Sequence, residues 1–244
     1  MVKLDITQQG GSRMKNIIFN EDCVIGMEKI KDGSIDLLLT DPPYNVSMKS
    51  NFHTMGRAGV DFGEWDKGFD QQTWLRVALK KVKKGGSVII FNNWKNIGEI
   101  KEVLEDNGFT LKELIQWKKT NPMPRNRDRL YVTSCEFAIW AVNGKGWTFN
   151  RQCDTYENTI FEYPLVPHKE RIHPTQKRLE VIQDIIKIHS NEGDLILDPF
   201  MGSATTAVAC INTGRSYVGF ETDTTYFELS TDRLNKGGAV HDGN

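Results

Sequence analysis

Short apolar runs of β type alternate with stretches of helical periodicity along most of this chain. The β-type runs lie at 35–40, 87–91, 111–117, 137–142, 195–197 and 216–220. Apolar residues recur at helical spacing over 74–83, 97–106, 178–189, 203–211 and 224–234. Because strands that alternate with helices form a largely parallel sheet with crossover helices, the pattern predicts an α/β fold. Ligands of such sheets bind at the carboxyl ends of the strands, which directs attention to the residues that follow each strand.

The composition excludes several classes of protein. Of the 244 residues, 39% are hydrophobic and 26% are charged, which excludes a disordered chain. The longest apolar runs are far shorter than the roughly 20 residues of a membrane-spanning helix, so we expect no membrane partner. A formal net charge of −1 provides no overall positive field, so a nucleic-acid site would have to be a local basic patch.

The cysteines bear on the cellular compartment of the protein, and the histidines bear on metal binding. The four cysteines are Cys23, Cys135, Cys153 and Cys210. They lack the CxxC spacing of zinc and redox sites, which predicts reduced thiols in a cytoplasmic protein without structural zinc. The five histidines are scattered along the chain, so we expect no metal site.

The domain organisation follows from length and local composition. We expect a single domain over residues 14–236, because 244 residues allow one core and no internal repeat is visible. Residues 1–13 form a polar leader, either a native arm or a remnant of cloning. Residues 45–70 form a long polar loop with glycines and aromatics, and residues 143–172 have weak periodicity and resemble an insertion.

The tetrapeptide Asp41-Pro42-Pro43-Tyr44 directly follows the buried-strand candidate 35–40. Neither proline has an N–H group to donate, so we expect the carbonyls of this loop to face a ligand. Asp41 adds a carboxylate acceptor, and Tyr44 adds a flat aromatic face. Such a loop matches the exocyclic amine of a planar base, whose N–H groups need acceptors while its ring stacks. Pro-Pro alone would indicate only a strand-ending turn, whereas the complete tetrapeptide favours a functional interpretation.

A second motif follows the strand candidate 195–197 and opens the helix expected to begin near Ser203. It consists of Asp198, Pro199, Phe200, Met201, Gly202 and Ser203. A glycine turn at a helix N-terminus presents backbone N–H groups to a carboxylate or phosphate, although an N-cap followed by proline is the structural alternative. Glu221 follows the strand candidate 216–220, where an acidic residue suits ribose hydroxyls. The chain lacks both GxGxxG and GxxxxGK[ST], so a nucleoside without phosphates fits better than a dinucleotide.

Together these motifs resemble the amino-methyltransferases of DNA, in the permuted (beta) class whose catalytic tetrapeptide precedes the cofactor loop. The resemblance spans residues 14–235 and includes three further segments. They are Asn20-Glu21-Asp22-Cys23, Lys118-Lys119-Thr120-Asn121-Pro122-Met123-Pro124 and His173-Pro174-Thr175-Gln176-Lys177. It implies a Rossmann-like sheet of seven strands, mostly parallel with one antiparallel strand. It also implies S-adenosylmethionine as methyl donor and an adenine or cytosine amino group of DNA as acceptor.

The same resemblance assigns roles to individual residues. Asp41, Pro42, Pro43 and Tyr44 would be catalytic. The residues that would bind the cofactor are Asp22, Cys23, Thr175, Gln176, Lys177, Asp198, Pro199, Phe200, Gly202, Ser203 and Glu221. Asp22 and Cys23 would lie by its adenosine and Glu221 by its ribose, and residues 175–177 would approach its methionine end.

Ala204 departs from the family pattern, because the cofactor loop of the family usually carries a second glycine at this position. A Cβ here would hinder a backbone conformation with positive φ. Ser203 is a good helix cap and alanine is a good residue for a first helical turn. We therefore expect Ala204 to lie within the right-handed helix.

Adenine N6 is the expected acceptor, because in the family an aspartate at the first tetrapeptide position accompanies mainly N6-adenine and a serine mainly N4-cytosine. None of the four cysteines follows a proline, as the nucleophile of a C5-cytosine enzyme does in its family. The base would be flipped out of the duplex and stack on Tyr44. A cytosine-N4 enzyme and a weakly active DNA-binding relative on the same fold are the alternatives.

The expected partners are double-stranded DNA, a second copy of the chain and a restriction endonuclease of the same system. The DNA-binding residues would be Lys118, Lys119, Asn121, Arg125, Arg127 and Arg129. This stretch is rich in proline and contains Asp128 as its one acidic residue, which favours contact with phosphates. The 45–70 loop would be a mobile lid that orders on DNA, and the 143–172 insertion would recognise the target sequence.

Overall fold

The computed structural model of the chain describes residues 16–44, 69–124 and 126–236. The leader at 1–13, residues 45–68 of the expected lid, and Arg125 lie outside the described residues.

A single mixed sheet forms the centre of the fold. Its strands are β1 (Ile17–Phe19), β2 (Ile35–Thr40), β3 (Val82–Asn92), β4 (Thr110–Lys119), β5 (Cys135–Val142), β6 (Ile160–Tyr163), β7 (Leu195–Asp198) and β8 (Ser216–Phe220). They lie in the order β1-β8-β7-β2-β3-β5-β4-β6. β5 runs antiparallel to both of its neighbours, β3 and β4, and every other neighbouring pair is parallel. The expected α/β class, mostly parallel with one antiparallel strand, is confirmed.

The number of strands corrects the expectation, because the described residues form eight strands rather than seven. The two strands that the sequence pattern missed, β1 and β6, lie at the two edges of the sheet and have three and four residues. Runs this short carry too little periodicity to be recognised, and they become strands because a neighbouring strand offers unpaired N–H and C=O groups. β6 belongs to the 143–172 insertion, which therefore extends the sheet beside β4.

The described residues contain six helices, of which the first five connect strands and the last follows β8. They are α1 (Cys23–Met27), α2 (Gln71–Lys81), α3 (Ile97–Asp106), α4 (Leu179–His189), α5 (Thr205–Asn212) and α6 (Thr224–Asn235). The carboxylates of Asp22, Asp70 and Asp223 cap α1, α2 and α6 by accepting from first-turn N–H groups. A short 3-10 helix spans His168–Glu170. None of the helices in these residues is long and apolar enough to cross a membrane.

The junction of α2 and β3 differs from the predicted helix end at 83. β3 pairs Val82 with Ile35 and then Ser87 with Leu37, so the strand bulges between the two pairs. A Cβ on Gly86 would lie 2.7 Å from Val82 Cγ1, which explains why glycine stands in the bulge. Gly85 and Gly86, which follow the predicted helix end, therefore belong to an irregular strand.

The strands alternate their side chains between two apolar layers. Leu38 and Ile90 face the layer that contains α1, α2 and α3, whereas Leu37 and Ile89 face the layer that contains α4 and α5. Side chains alternate in this way in every strand, and a sheet covered on both faces therefore needs apolar residues on both sides of its strands. Because helices cover both faces, the sheet is open at the two ends of its strands. These ends are called its open edges below, as distinct from the edge strands β1 and β6.

The carboxyl ends of three neighbouring strands bring the predicted motifs to one of those edges. β8, β7 and β2 are adjacent and parallel. Glu221 follows β8, Asp198 is the last residue of β7, and Asp41 follows β2. Parallel pairing therefore places side by side three carboxylates that are not neighbours in the sequence.

The backbone at Ala204 contradicts the expected helix start. Ala204 has φ 58° and ψ 28°, which is the left-handed region, and α5 begins one residue later without a side-chain cap. The turn is closed by the Ala204 N–H, which donates to the Met201 carbonyl at 2.9 Å. The Ala204 side chain is 0% exposed within the apolar layer of α4 and α5. Burial of this methyl group offsets the strain that an alanine experiences in a left-handed turn.

We expect Ala204→Gly to change the free energy of unfolding by less than about 1 kcal/mol. Glycine relieves about 1 kcal/mol of left-handed strain, and the lost methyl group removes about 0.8 kcal/mol of buried apolar surface. Ala209→Gly is the matched control, because Ala209 is equally buried but lies within α5. There the loss of a methyl group and of helix propensity add to about 2 kcal/mol. Urea denaturation of both variants tests the contrast, and equal losses would contradict the strain at Ala204.

Candidate functional site

One open cleft contains residues of both predicted motifs. Its empty volume is about 460 Å³, and it lies at the carboxyl ends of β2 and β7. Predicted site residues in its wall are Asp41, Thr175, Gln176, Lys177, Asp198, Phe200, Gly202 and Ser203. The Thr40 hydroxyl donates to Asp198 Oδ1 at 2.7 Å, so the two motifs are joined by a buried hydrogen bond.

The Asp41 carboxylate has a polar partner on each oxygen. The Tyr44 hydroxyl donates to Oδ1, and the Lys177 ammonium forms an ion pair with Oδ2. Burial raises the pKa of Asp41 above its usual range, although the Lys177 charge opposes this shift. Burial also raises the pKa of Tyr44 well above its usual value, so this phenol keeps its proton. The site thus holds a carboxylate and a neutral aromatic hydroxyl in contact.

Backbone contacts of the tetrapeptide partly correct the expected exposure of its carbonyls. The Gln71 side-chain amide at the start of α2 donates to the Pro43 carbonyl. The Asn96 amide donates to the Tyr44 carbonyl at 2.8 Å. These two contacts fix the tetrapeptide through its carbonyls, since its two prolines have no N–H group to donate.

A chain of four alternating charges extends from Asp41 into the sheet. Lys177 Nζ lies 3.0 Å from Glu136 Oε2, and Lys119 Nζ lies 2.8 Å from Glu136 Oε1. Burial disfavours ionisation of Glu136, but the two ammonium groups outweigh it and lower the pKa of Glu136 to about 2. Burial likewise disfavours the charge of Lys177, and the two carboxylates outweigh it and raise the pKa of Lys177. Both groups are therefore charged at neutral pH.

The Asp198 loop is held from three sides. Asp198 Oδ1 accepts from the Phe200 N–H at 3.1 Å, and burial raises the pKa of this carboxyl to about 6. The Gly202 N–H donates to Glu221 Oε2 at 2.9 Å, and Arg233 of α6 donates to the Ser203 carbonyl at 2.8 Å. The Phe200 ring packs edge-on against Phe69 and Trp74. The loop conformation is therefore fixed by the surrounding elements.

Glu221, Asp22, Cys23 and Pro199 are placed near this edge but do not line the described cleft. Both Glu221 oxygens accept backbone N–H groups, from Gly202 and from Asp223. Asp22 caps α1, and the neighbouring Asn20 amide donates to the Glu221 carbonyl at 2.8 Å. Burial raises the pKa of the Cys23 thiol to about 12, so this thiol stays protonated.

The segment before α4 supplies a further wall of the cleft. The His173 ring packs on Tyr226 with 4.3 Å between ring centroids, and burial lowers the pKa of His173 to about 4. Gln176 Oε1 accepts from the Ile172 N–H at 3.1 Å, and the Thr175 hydroxyl lies 3.1 Å from His173 Nδ1. These contacts position the segment so that Lys177 reaches Asp41. Within the described residues, no group of three or more His, Cys, Asp or Glu side chains is arranged to hold a metal ion.

The predicted DNA-binding residues separate into two groups. Arg127 and Arg129 are exposed in the loop between β4 and β5, at the same edge as Asp41. Lys118 forms an exposed ion pair with Glu162, and Lys119 points inward to Glu136. The Asn121 side chain accepts from the Leu165 N–H at 2.7 Å, which gives it a structural contact.

Glu136 is the site residue that sequence reasoning missed. It is the second residue of β5, just before the apolar run 137–142 that predicted the strand. The available signal was an acidic residue at the start of a buried strand, shortly after a stretch of the sequence that is rich in lysine and arginine. Its partner Lys177 comes from a distant part of the chain, which local spacing does not reveal.

Comparisons with known proteins agree with this geometry. Residues 35–232 match the family described as DNA methylase. The chain is 32% identical to the Type II methyltransferase M2.LlaDCHI of Lactococcus lactis subsp. cremoris, over 91% of this chain and 90% of the relative. It is also 32% identical to the Type II methyltransferase M2.MboI of Moraxella bovis, over 90% of this chain and 87% of that relative.

Solved structures resemble the chain over the same span. The crystal structure of an M1.HpyAVI–SAM complex has a TM-score of 0.73 and 36% identity, and it covers 89% of this chain and 98% of that protein. The PvuII DNA methyltransferase (cytosine-N4-specific) has a TM-score of 0.72 at 17% identity, covering 90% of this chain and 86% of that protein, which shows a shared fold. Since the family match and the relatives extend over most of its length, the chain belongs to the DNA methylase family.

Proposed function

We propose that this chain transfers a methyl group from S-adenosylmethionine to N6 of an adenine flipped out of double-stranded DNA at a specific sequence. The observation that carries the proposal is the position of the Asp41 carboxylate in one cleft with the Asp198 loop. A carboxylate acceptor for an amine thus lies next to a loop suited to a nucleoside. The Type II methyltransferase relatives support the same chemistry.

The residues of the cleft fit S-adenosylmethionine. Asp198 is ionised at neutral pH and would attract a cationic ligand, while Phe200 offers an aromatic edge and Gln176 and Thr175 offer polar groups. Glu221 lies beside the cleft and would bind the ribose with the lone pairs that remain on its two oxygens, each of which accepts one backbone N–H group. When bound, S-adenosylmethionine supplies a methyl group on a positively charged sulfur.

The tetrapeptide acts on the target amine. The Asp41 carboxylate accepts a hydrogen bond from the N6–H group, which raises the electron density at the nitrogen and counters the positive charge that develops there. The Tyr44 ring stacks on the flipped base and so replaces the stacking on neighbouring bases that the base loses when it leaves the duplex. Burial of Asp41 strengthens its interaction with the amine, since water competes less for the carboxylate.

The choice of adenine over cytosine rests on the aspartate at the first position of the tetrapeptide, which is typical of N6 enzymes. Mass spectrometry of nucleosides from DNA methylated by the purified chain distinguishes the two. N6-methyladenine is the expected product, and N4-methylcytosine would contradict the proposal. The homodimer, the endonuclease partner and the cytoplasmic location stay predictions.

DNA binding would use the loop between β4 and β5. Besides Arg127 and Arg129, this loop carries Tyr131, which is 97% exposed, and its two ends lie at the edge that holds Asp41. Cationic side chains at this edge would bind phosphates on either side of the flipped base. The 143–172 insertion, whose residues 151–156 are exposed, would recognise the target sequence.

Asp41→Asn should lower the single-turnover rate of methyl transfer at least ~10²-fold, because the charged acceptor for the amine is lost. The dissociation constant for S-adenosylmethionine, measured by calorimetry, should stay within about 2-fold of wild type. Asp32→Asn is the matched control, because Asp32 pairs with the buried Lys81, the last residue of α2, which lies next to the start of β3 at the opposite end of the sheet. A wild-type rate in the Asp41 variant would exclude its proposed role.

The rate of methyl transfer should fall as pH falls through the pKa of Asp41. Below that pKa the carboxyl is protonated and is a weaker acceptor for the amine. Because burial raises the pKa, the midpoint should lie above the ~3.9 of an ordinary aspartate. Single-turnover rates at saturating S-adenosylmethionine measure this midpoint. Saturation removes the effect that titration of Asp198 would have on cofactor binding. A midpoint at or below the ordinary value would contradict the assignment.

Neutralising Arg127 and Arg129 together should weaken binding to all DNA sequences and reduce its salt dependence. Two lost phosphate contacts lower the slope of log K against log salt by about 1.8. The matched control neutralises Arg76 and Lys80, two exposed cations of α2, and changes the net charge equally. Fluorescence anisotropy over a salt series provides both slopes, and an unchanged slope in the loop variant would remove these arginines from the interface.

A further inference from the structure

Glu136 is a half-buried charge at the site that the proposed reaction does not use directly. We propose that Glu136 is a positioning residue for methyl transfer, which acts on Asp41 by holding Lys177 between the two carboxylates. This inference rests on the proposed role of Asp41 as the acceptor for the target amine. It adds to the reaction a residue on β5, outside both of the motifs that form the cleft.

The sheet places Glu136 beside the reaction centre. β5 runs antiparallel to β3, so its first residues lie at the edge where β2 and β3 end. The exposed fractions of the three side chains are 7% for Lys177, 20% for Asp41 and 22% for Glu136. An ammonium group buried to this degree must be paired, and it has a carboxylate on each side.

The four charges of the chain, from Lys119 through Glu136 and Lys177 to Asp41, sum to zero. Without the charge of Glu136, two ammonium groups would face one carboxylate. Asp41 would then be the one carboxylate paired with Lys177, which would draw electron density from the oxygens that accept the target amine. The amine nitrogen gains positive charge as it receives the methyl group, so a surplus of positive charge nearby opposes the reaction.

The groups that face Asp41 come from four elements. They are Tyr44 of its own loop, Lys177 before α4, Glu136 of β5 and Asp198 of β7. Of these, Glu136 and Lys177 act on Asp41 with opposite sign, because the negative charge of Glu136 raises the pKa of Asp41 and the Lys177 ammonium lowers it. Removing the Glu136 charge should therefore make Asp41 a weaker base.

The test is Glu136→Gln, which keeps the shape of the side chain and removes its charge. We expect the single-turnover rate at saturating substrates to fall at least ~10-fold, with dissociation constants for S-adenosylmethionine and for DNA within about 2-fold of wild type. The acid limb of the rate profile should move to lower pH, because Asp41 loses a neighbour that opposes its ionisation. A residue with a purely structural role would not move this limb.

Two further variants complete the experiment. Glu136→Asp keeps the charge, so its acid limb should stay at the wild-type position even if its rate is reduced by the shorter side chain. Asp32→Asn removes a carboxylate from another buried lysine, Lys81, and should change neither the rate nor the limb. Melting temperatures of all variants show whether folding is affected.

Three outcomes would overturn the inference. They are a wild-type rate in Glu136→Gln, a slow Glu136→Gln variant whose acid limb has not moved, and a Glu136→Asp variant whose limb moves as in Glu136→Gln. Failure of the proposed function has a different signature. If adenine is not the acceptor, the wild-type chain itself yields no N6-methyladenine, and if Asp41 is not the acceptor group, Asp41→Asn keeps its rate.

Discussion

The parallel pairing of β2 with β7 is the constraint on which the site depends. It brings the residue after β2, Asp41, next to the last residue of β7, Asp198, although 157 positions separate them in the sequence. The hydrogen bond from Thr40 to Asp198 fixes the ends of the two strands relative to each other. Every other element of the cleft is then positioned against these two strand ends, including the loop that leads into α5 and the segment that precedes α4.

Charge organises the rest of the site. Lys177 is buried, and its ammonium group is tolerated there because Asp41 and Glu136 lie on either side of it. The same ammonium ties three elements together, since Asp41 follows β2, Glu136 belongs to β5 and Lys177 precedes α4. Asp41, the proposed acceptor for the target amine, is therefore part of an ionic network that reaches from β2 through β5 to β4.

Sequence reasoning predicted much of this arrangement and failed at identifiable places. The tetrapeptide at Asp41 and the loop at Asp198 were recognised because each follows a strongly apolar strand, a purely local signal. Ala204 was expected to be helical from propensity alone, whereas burial of its methyl group supports a left-handed turn. Lys119, whose role at DNA stays a prediction, pairs with Glu136 on the neighbouring strand, a contact that no spacing in the sequence reveals.

The sequence by itself determined the α/β class and the two strand-end motifs, because apolar runs, helical patterns and turn residues act locally. The tertiary structure alone decided the two edge strands, the left-handed Ala204 and the pairing of Lys177 with Asp41 and Glu136. Each of these depends on what a neighbouring element supplies: unpaired backbone groups for β1 and β6, an apolar layer for Ala204, and two carboxylates for Lys177. The order of the strands in the sheet determines which distant elements become neighbours, and local sequence patterns do not encode that order.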